Sequence, residues 1–365
     1  MDDEMMEDGN MPSSRFILFI SAFMKALAAF AVLIVSEICV ILGMRSAGIN
    51  TYTYEGSATM LYTAVCFPVI LILFRFFKYL GDSKPVMLSK PQGGEVFSSV
   101  VIALGLLGFV TVFMVVLTKI GEMNTAVSDS IDQYSETMNR SSTIPRPGFD
   151  IVLEFLSSFL TVPLVEEFIF RAGVMGQLEK VIHPWSACML SAMVFGFSHG
   201  LSVYTLILTG CAFILILFTE VVLALLKVSQ KTYGIVNMVI TVIMFIAFIT
   251  ILIVDFLSDG TLQIHISYAF ICGIVLGTVY YLTSSIWCSY VVHLTFNLLG
   301  GALGSFLTSD LIGLDEMVYA RFYSPLYKLE LLCIPISAIV VFYLYHNRKL
   351  KAEKAKEGNT VPEYE

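Results

Sequence analysis

Apolar and polar positions along this chain do not alternate. They segregate into long apolar blocks parted by short polar stretches. A bilayer span needs about 20 apolar residues at a rise of ~1.5 Å each. By that rule the sequence predicts helices near 16–43, 57–79, 96–119, 150–170, 202–226, 234–257, 264–283 and 329–346. Two further segments, near 185–199 and 285–304, are shorter or more polar. They are counted as spans because the chain between the clear helices has to cross. The expected fold is all-α, a polytopic transmembrane helical bundle of about 8–10 spans. The longest stretch between blocks, Gly121–Pro147, is rich in Ser, Thr and Asn and is expected to be a polar loop.

Composition strengthens that picture. Of the 365 residues, 57% are hydrophobic and 14% charged, where a soluble domain carries about 25% charged residues. Mean hydropathy is +0.83, and no single water-soluble core of this size hides so much apolar surface. The net charge of −8 argues against a nucleic-acid partner. Basic residues gather in three places: Arg75, Lys78, Lys84 and Lys90; Lys227 and Lys231; and Arg348, Lys349, Lys351, Lys354 and Lys356. With ten spans all three lie on one side, which the positive-inside rule makes cytoplasmic, together with both termini. Asp2, Asp3, Glu4 and Glu7 make an acidic start, and the apolar run that follows is too long for a cleavable signal peptide. Seven cysteines are scattered without a C-x-x-C pair, and we read Cys66, Cys188, Cys211 and Cys272 as small buried apolar residues. Asn139-Arg140-Ser141 is a glycosylation sequon of little weight.

Charges inside membrane helices are costly and need a reason. Lys25, Glu37 and Glu220 have bland ones, such as snorkelling, an interface or a packed bundle. The stretch Glu166-Glu167…Arg171 is different, because two adjacent carboxylates and an arginine share about one helical turn. Glu167 and Arg171 stand four apart, on one face, and can pair. Glu166 is rotated about 100° away and lacks a local partner. A buried ion pair explains Glu167 and Arg171, but not the second carboxylate. Phe195…His199 and His293…Asn297 offer two imidazoles and an amide from other apolar segments. Together these supply a general base, a second acid or base, and donors for an oxyanion.

In their order along apolar helices, Glu166-Glu167…Arg171, Phe195…His199 and His293…Asn297 resemble the CAAX-protease and bacteriocin-processing family, which contains the type II CAAX prenyl proteases. Gly273 and Gly277, a close-packing G-x-x-x-G face, and Ser285-Ile-Trp287 are similar too. The resemblance covers about residues 150–300. It implies an intramembrane endopeptidase in which Glu166 and His199 activate water while His293 and Asn297 stabilise the oxyanion, without a metal. Glu167 and Arg171 are expected to order Glu166. It also implies a membrane-bound protein or peptide substrate, lipidated or not, and a bacterial plasma membrane as the setting. The chain then divides into accessory helices over 1–145, a protease core over 146–305 and a helix with a charged tail over 306–365. One departure stands out: Leu201–Ser267 adds two apolar stretches inside the core, expected as an inserted helical pair at about 201–260.

Three other chemistries compete. Gly196-Phe-Ser198-His199-Gly200 reads G-x-S-x-G, but a nucleophile elbow needs a strand, a turn and a helix. A Ser198 dyad with His293 or His265 is the remaining serine option. H-E-x-x-H is absent, yet Glu166, His199 and His293 have the ligand types of a three-residue zinc site. A non-enzymatic transporter, immunity protein or scaffold on the same fold would use the same charges as a proton relay or as architecture.

Overall fold

The computed structural model describes residues 11–76, 90–139, 144–200, 203–226, 228–256 and 260–358. The acidic start, Lys78, Lys84, Lys227, and Arg140 and Ser141 of the sequon lie outside the described residues. The described chain is helical throughout, without a strand. Its elements are α1 (Met11–Ser46), α2 (Glu55–Phe76), α3 (Gly93–Gly121) and α4 (Thr125–Asn139), followed by α5 (Gly148–Leu178). Then come α6 (Pro184–Ser198), α7 (Val203–Leu225), α8 (Gln230–Phe256) and α9 (Gly260–Thr283). The last two are α10 (Ile286–Thr308) and α11 (Glu316–Gly358). Among the described residues nine helices are long and apolar enough to cross a bilayer, and α6 is the shorter tenth. The protein is thus an integral membrane protein with an all-α polytopic bundle, as the apolar blocks predict.

Three expectations fail, each for a physical reason. The polar stretch after Gly121 is not a loop throughout, because α4 forms there. Asn124 accepts from the amide of Ala126 and starts the helix, while Val127 turns inward and is buried. Its polar face hides this amphipathic helix from a search for long apolar blocks. The final helix is also longer than 329–346, beginning at Glu316, with Asp315 accepting from the amides of Met317 and Val318. Pro325 and Pro335 lie inside it without ending it. Of the four cysteines read as buried, Cys211 is exposed on α7, where lipid suits it as well as a core does.

Lipid tails are as apolar as leucine, so helices here associate by close packing rather than by escape from water. A close seam of small residues joins α6 to α9. A Cβ on Gly273 would stand 2.9 Å from Cα of Ala192, and one on Gly277 would stand 2.6 Å from Sγ of Cys188. A Cβ on Gly196 would meet Phe270 Cβ at 3.1 Å and Ile266 O at 3.3 Å. Small residues four apart on both helices therefore let the backbones touch. From the other side α1 packs against α5 through Phe30 and Phe170, and against α7 through Phe23 and Phe213. The α7–α8 hairpin is tied by Tyr233, whose hydroxyl donates to Glu220, at 2.9 Å from Oε1. Ser186 on α6 meets Thr241 on α8 at 3.0 Å.

Three wide π turns interrupt the site helices: Ser157–Thr161 and Phe168–Met175 in α5, and Leu298–Ala302 in α10. Such turns recur at functional sites because they re-aim backbone carbonyls. Each carbonyl set here receives a side-chain donor. Asn297 Nδ2 donates to Ser158 O at 2.9 Å, Tyr290 Oη to Leu160 O at 3.1 Å, Ser191 Oγ to Phe170 O at 2.9 Å, and Tyr323 Oη to Leu299 O.

Candidate active site

Glu167 is fully buried and so is Arg171, one turn later on α5. Arg171 Nε donates to Glu167 Oε2 at 3.1 Å, as the i, i+4 spacing requires. Ser289 Oγ donates to the same oxygen, and His293 Nδ1 lies 3.0 Å from Oε1. Ser289 and His293 are themselves four apart on α10, and Asn297 follows four later, so one stripe of α10 faces α5. Glu167 therefore has both oxygens occupied. Because a carboxylate only accepts, Nδ1 of His293 carries the proton of that bond.

Glu166 is placed differently. Its side chain is 13% exposed, and its polar neighbour is His293 Nε2, 3.5 Å from Oε2. His293 thus stands between the two glutamates, one nitrogen to each. Burying two carboxylates beside a single guanidinium leaves one excess negative charge. A single proton shared by the cluster would cancel it.

Arg171 also reaches α6: Nη1 donates to Ser191 Oγ at 3.1 Å, and the guanidinium lies 5.4 Å from the ring centre of Phe195. Its Nη2 is buried without a partner among the described residues. The Phe195 ring stands 4.6 Å from the ring of His199 and 5.7 Å from that of His293. It is the common wall between the two imidazoles. His199 itself caps α6, with Nδ1 2.8 Å from Phe195 O. A carbonyl only accepts, so this contact puts the proton on Nδ1 and leaves Nε2 with a lone pair.

The fold therefore brings Glu166, Glu167, Arg171 and His293 into one polar cluster, with His199 beside it across Phe195. Asn297 lies one turn beyond His293, and one of its two amide hydrogens is spent on Ser158 O. His199 does not hydrogen-bond Glu166. Its polar contacts are Phe195 O and Ser198 Oγ. Ser198 ends a helix rather than following a strand, and its hydroxyl donates to Phe195 O at 2.7 Å. The geometry of a nucleophile elbow is absent there. Among the described residues no group of three His, Cys, Asp or Glu side chains is placed to hold a metal ion.

Sequence reasoning missed Ser289 and Ser191, and named His265 only as a dyad partner for Ser198, not as a neighbour of His199. Ser289 carried a signal, the four-residue step to His293. Ser191 and His265 carried none, because only the α5–α6 and α6–α9 contacts give them partners.

No curated protein and no solved structure matches the chain. A family model, described as Type II CAAX prenyl endopeptidase Rce1-like, matches residues 148–232 and 216–299, the region that holds the cluster. With its bundle of apolar helices, the chain over residues 148–299 is similar to the Rce1-like type II CAAX prenyl endopeptidases, and this match over the polar cluster supports a membrane protease of the CAAX type.

Proposed function

We propose that the protein is an intramembrane endopeptidase, independent of metal, in which Glu166 removes the proton from an attacking water. The observation that carries this reading is the inequality of the two glutamates. Glu167 is saturated by Arg171, Ser289 and His293, while Glu166 makes a single loose contact and keeps an oxygen for water. With both oxygens of Glu167 already engaged by three donors, Glu166 is the more available carboxylate.

In the proposed reaction the water oxygen bonds to the peptide carbonyl carbon, and its proton passes to Glu166. The carbonyl becomes a tetrahedral oxyanion. Nε2–H of protonated His293, backed by Glu167, and the second amide hydrogen of Asn297 are its donors. The C–N bond then breaks, and the leaving amine takes the proton from Glu166. His199, with Nδ1 fixed by Phe195 O, offers the Nε2 lone pair as the partner of Glu166 in holding the water. The substrate is a membrane-associated protein or peptide, since a site at this depth is reached most easily from lipid.

The α7–α8 pair is read as an insertion within the protease core. The two family matches overlap over residues 216–232 instead of running through once, which supports added helical length there. The basic end of α11, with Arg348, Lys349 and Lys351, supports a cytoplasmic location for the C-terminus, and the N-terminus joins it if α6 crosses as a tenth span.

The test is peptide cleavage by the purified chain in liposomes, with lipidated and unlipidated peptides. Wild type, Glu166→Gln and wild type with chelator are compared. Cleavage that survives chelator and vanishes in Glu166→Gln supports the reading. Loss under chelator points to a zinc site instead. A folded wild type that cleaves nothing points to a transporter or scaffold.

A further inference from the structure

We infer that His265 is a positioning residue for His199, and that helix α4 holds it there. The inference rests on the proposed role of His199. It begins with the α6–α9 seam. Gly196 brings α6 against Ile266 and Phe270 of α9, so His199, three residues past Gly196, arrives beside His265, one residue before Ile266. The two imidazoles stand 5.3 Å apart, edge to face at 67°. The ring of His199 thus has Phe195 at 4.6 Å and His265 at 5.3 Å as its neighbours.

His265 is fixed in turn by aromatic contacts. It stacks on Tyr268 at 5.0 Å and 24°, and Tyr134 of α4 meets its ring at 6.4 Å. The Tyr134 hydroxyl donates to that of Tyr268 at 3.4 Å. Among the described residues His265 makes these ring contacts and no hydrogen bond. What it presents to His199 is therefore a flat, stiff edge.

Without that edge the ring of His199 is held on the side of Phe195 and Ser198 alone, through the bond from Nδ1 to Phe195 O, the Phe195 ring and Ser198 Oγ. A ring flip would then put Cδ2 where Nδ1 stands and Cε1 where Nε2 stands, break the bond to Phe195 O that fixes the tautomer, and turn the lone pair away from the water. A misplacement of about 1 Å at a reacting centre costs on the order of 100-fold in rate. The helix α4, polar on its outer face, thereby becomes part of the site through Tyr134.

Nuclear magnetic resonance of the full chain in lipid, labelled with ¹⁵N-histidine, tests this without needing turnover. Five histidines keep the spectrum assignable by single substitutions. In wild type His199 is expected as the neutral Nδ1–H form. In His265→Ala it becomes a mixture of both tautomers, and in His265→Phe, which keeps the flat ring, the single form returns. In the cleavage assay His265→Ala is expected to lower kcat about 100-fold with KM little changed, and His265→Phe to restore most of it. A His199 signal in His265→Ala identical to wild type overturns the inference, as does His265→Phe as disturbed as His265→Ala. Thermal midpoints check that both variants fold. Because the tautomer is read directly, a failure of Glu166 as the base leaves this result standing or falling by itself.

Discussion

Helix α5 and the residues just before it carry two arginine–carboxylate clusters, and they are finished differently. At the start, Asp150 is fully buried and accepts four bonds: from Ser57 N and Oγ on one oxygen, and from Gly56 N and Arg146 Nη2 on the other. Arg146 also pairs with Glu154, and Glu55 stands 4.0 Å away. This cluster caps the N-terminus of α2 from another helix. Further along the helix, Glu167 likewise has both oxygens engaged, by three donors, but Glu166 beside it keeps one loose contact. A buried charge with every lone pair used is architecture, while one left with an open lone pair in a closed place is available for chemistry. Arginine alone does not separate the two clusters. The count of donors on each carboxylate does.

Substitutions can break this contrast. The largest effect is expected from Glu166→Gln, which should lower cleavage about 10²–10⁴-fold, the usual share of a general base, with the thermal midpoint close to wild type. A midpoint that collapses with the activity would make Glu166 architectural after all. Next comes Glu167→Ala, which strands Arg171 in the core. A loss of about 3–5 kcal/mol is expected, seen as a large fall in thermal midpoint together with lost activity. Asp150→Ala should cost a similar amount, about 3–5 kcal/mol, because it leaves the buried Arg146 side chain with only Glu154 and Glu55 and uncaps α2. Cleavage per folded molecule should stay near wild type, and a change in KM would show that this cluster belongs to the site.

The smallest effect concerns pH. His183 caps α6 outside the spans, with Nδ1 accepting from Trp185 N at 3.4 Å. Burial lowers its pKa below the ordinary imidazole value. The folded state then binds fewer protons than the unfolded one, so this contribution is complete above the ordinary imidazole range and is lost as pH falls through it. A cap of this kind is worth at most about 1 kcal/mol. His183→Asn, which keeps an acceptor that does not titrate, should flatten the dependence of the thermal midpoint on pH.

The inequality of the glutamates was legible in the sequence, because a helix sets Glu167 opposite Arg171 and turns Glu166 away. The spans were legible for a similar reason, since lipid demands unbroken apolar length. The G-x-x-x-G face of Gly273 and Gly277 announced a tight seam, though not that α6 would fill it. Other features depend on which helices meet. Nothing local says that Ser289 reaches Glu167, that Phe195 divides two imidazoles, or that His265 ends beside His199. Helix α4 was hidden by its own polarity. The first part of α11 was hidden by Arg321, Pro325 and Lys328, which interrupt an apolar count without ending a helix.

The cap that Asp150 places on α2 has a consequence in time. The acceptor arrives 94 residues after Gly56, whose amide it takes. While the chain is being made, α2 is in place long before the carboxylate that closes its first turn. The hairpin of α1 and α2 must therefore wait, with that turn held by water alone, until the helix bearing Glu166 is inserted. Completion of the N-terminal helices and delivery of the candidate base are then one late event in the protein's assembly.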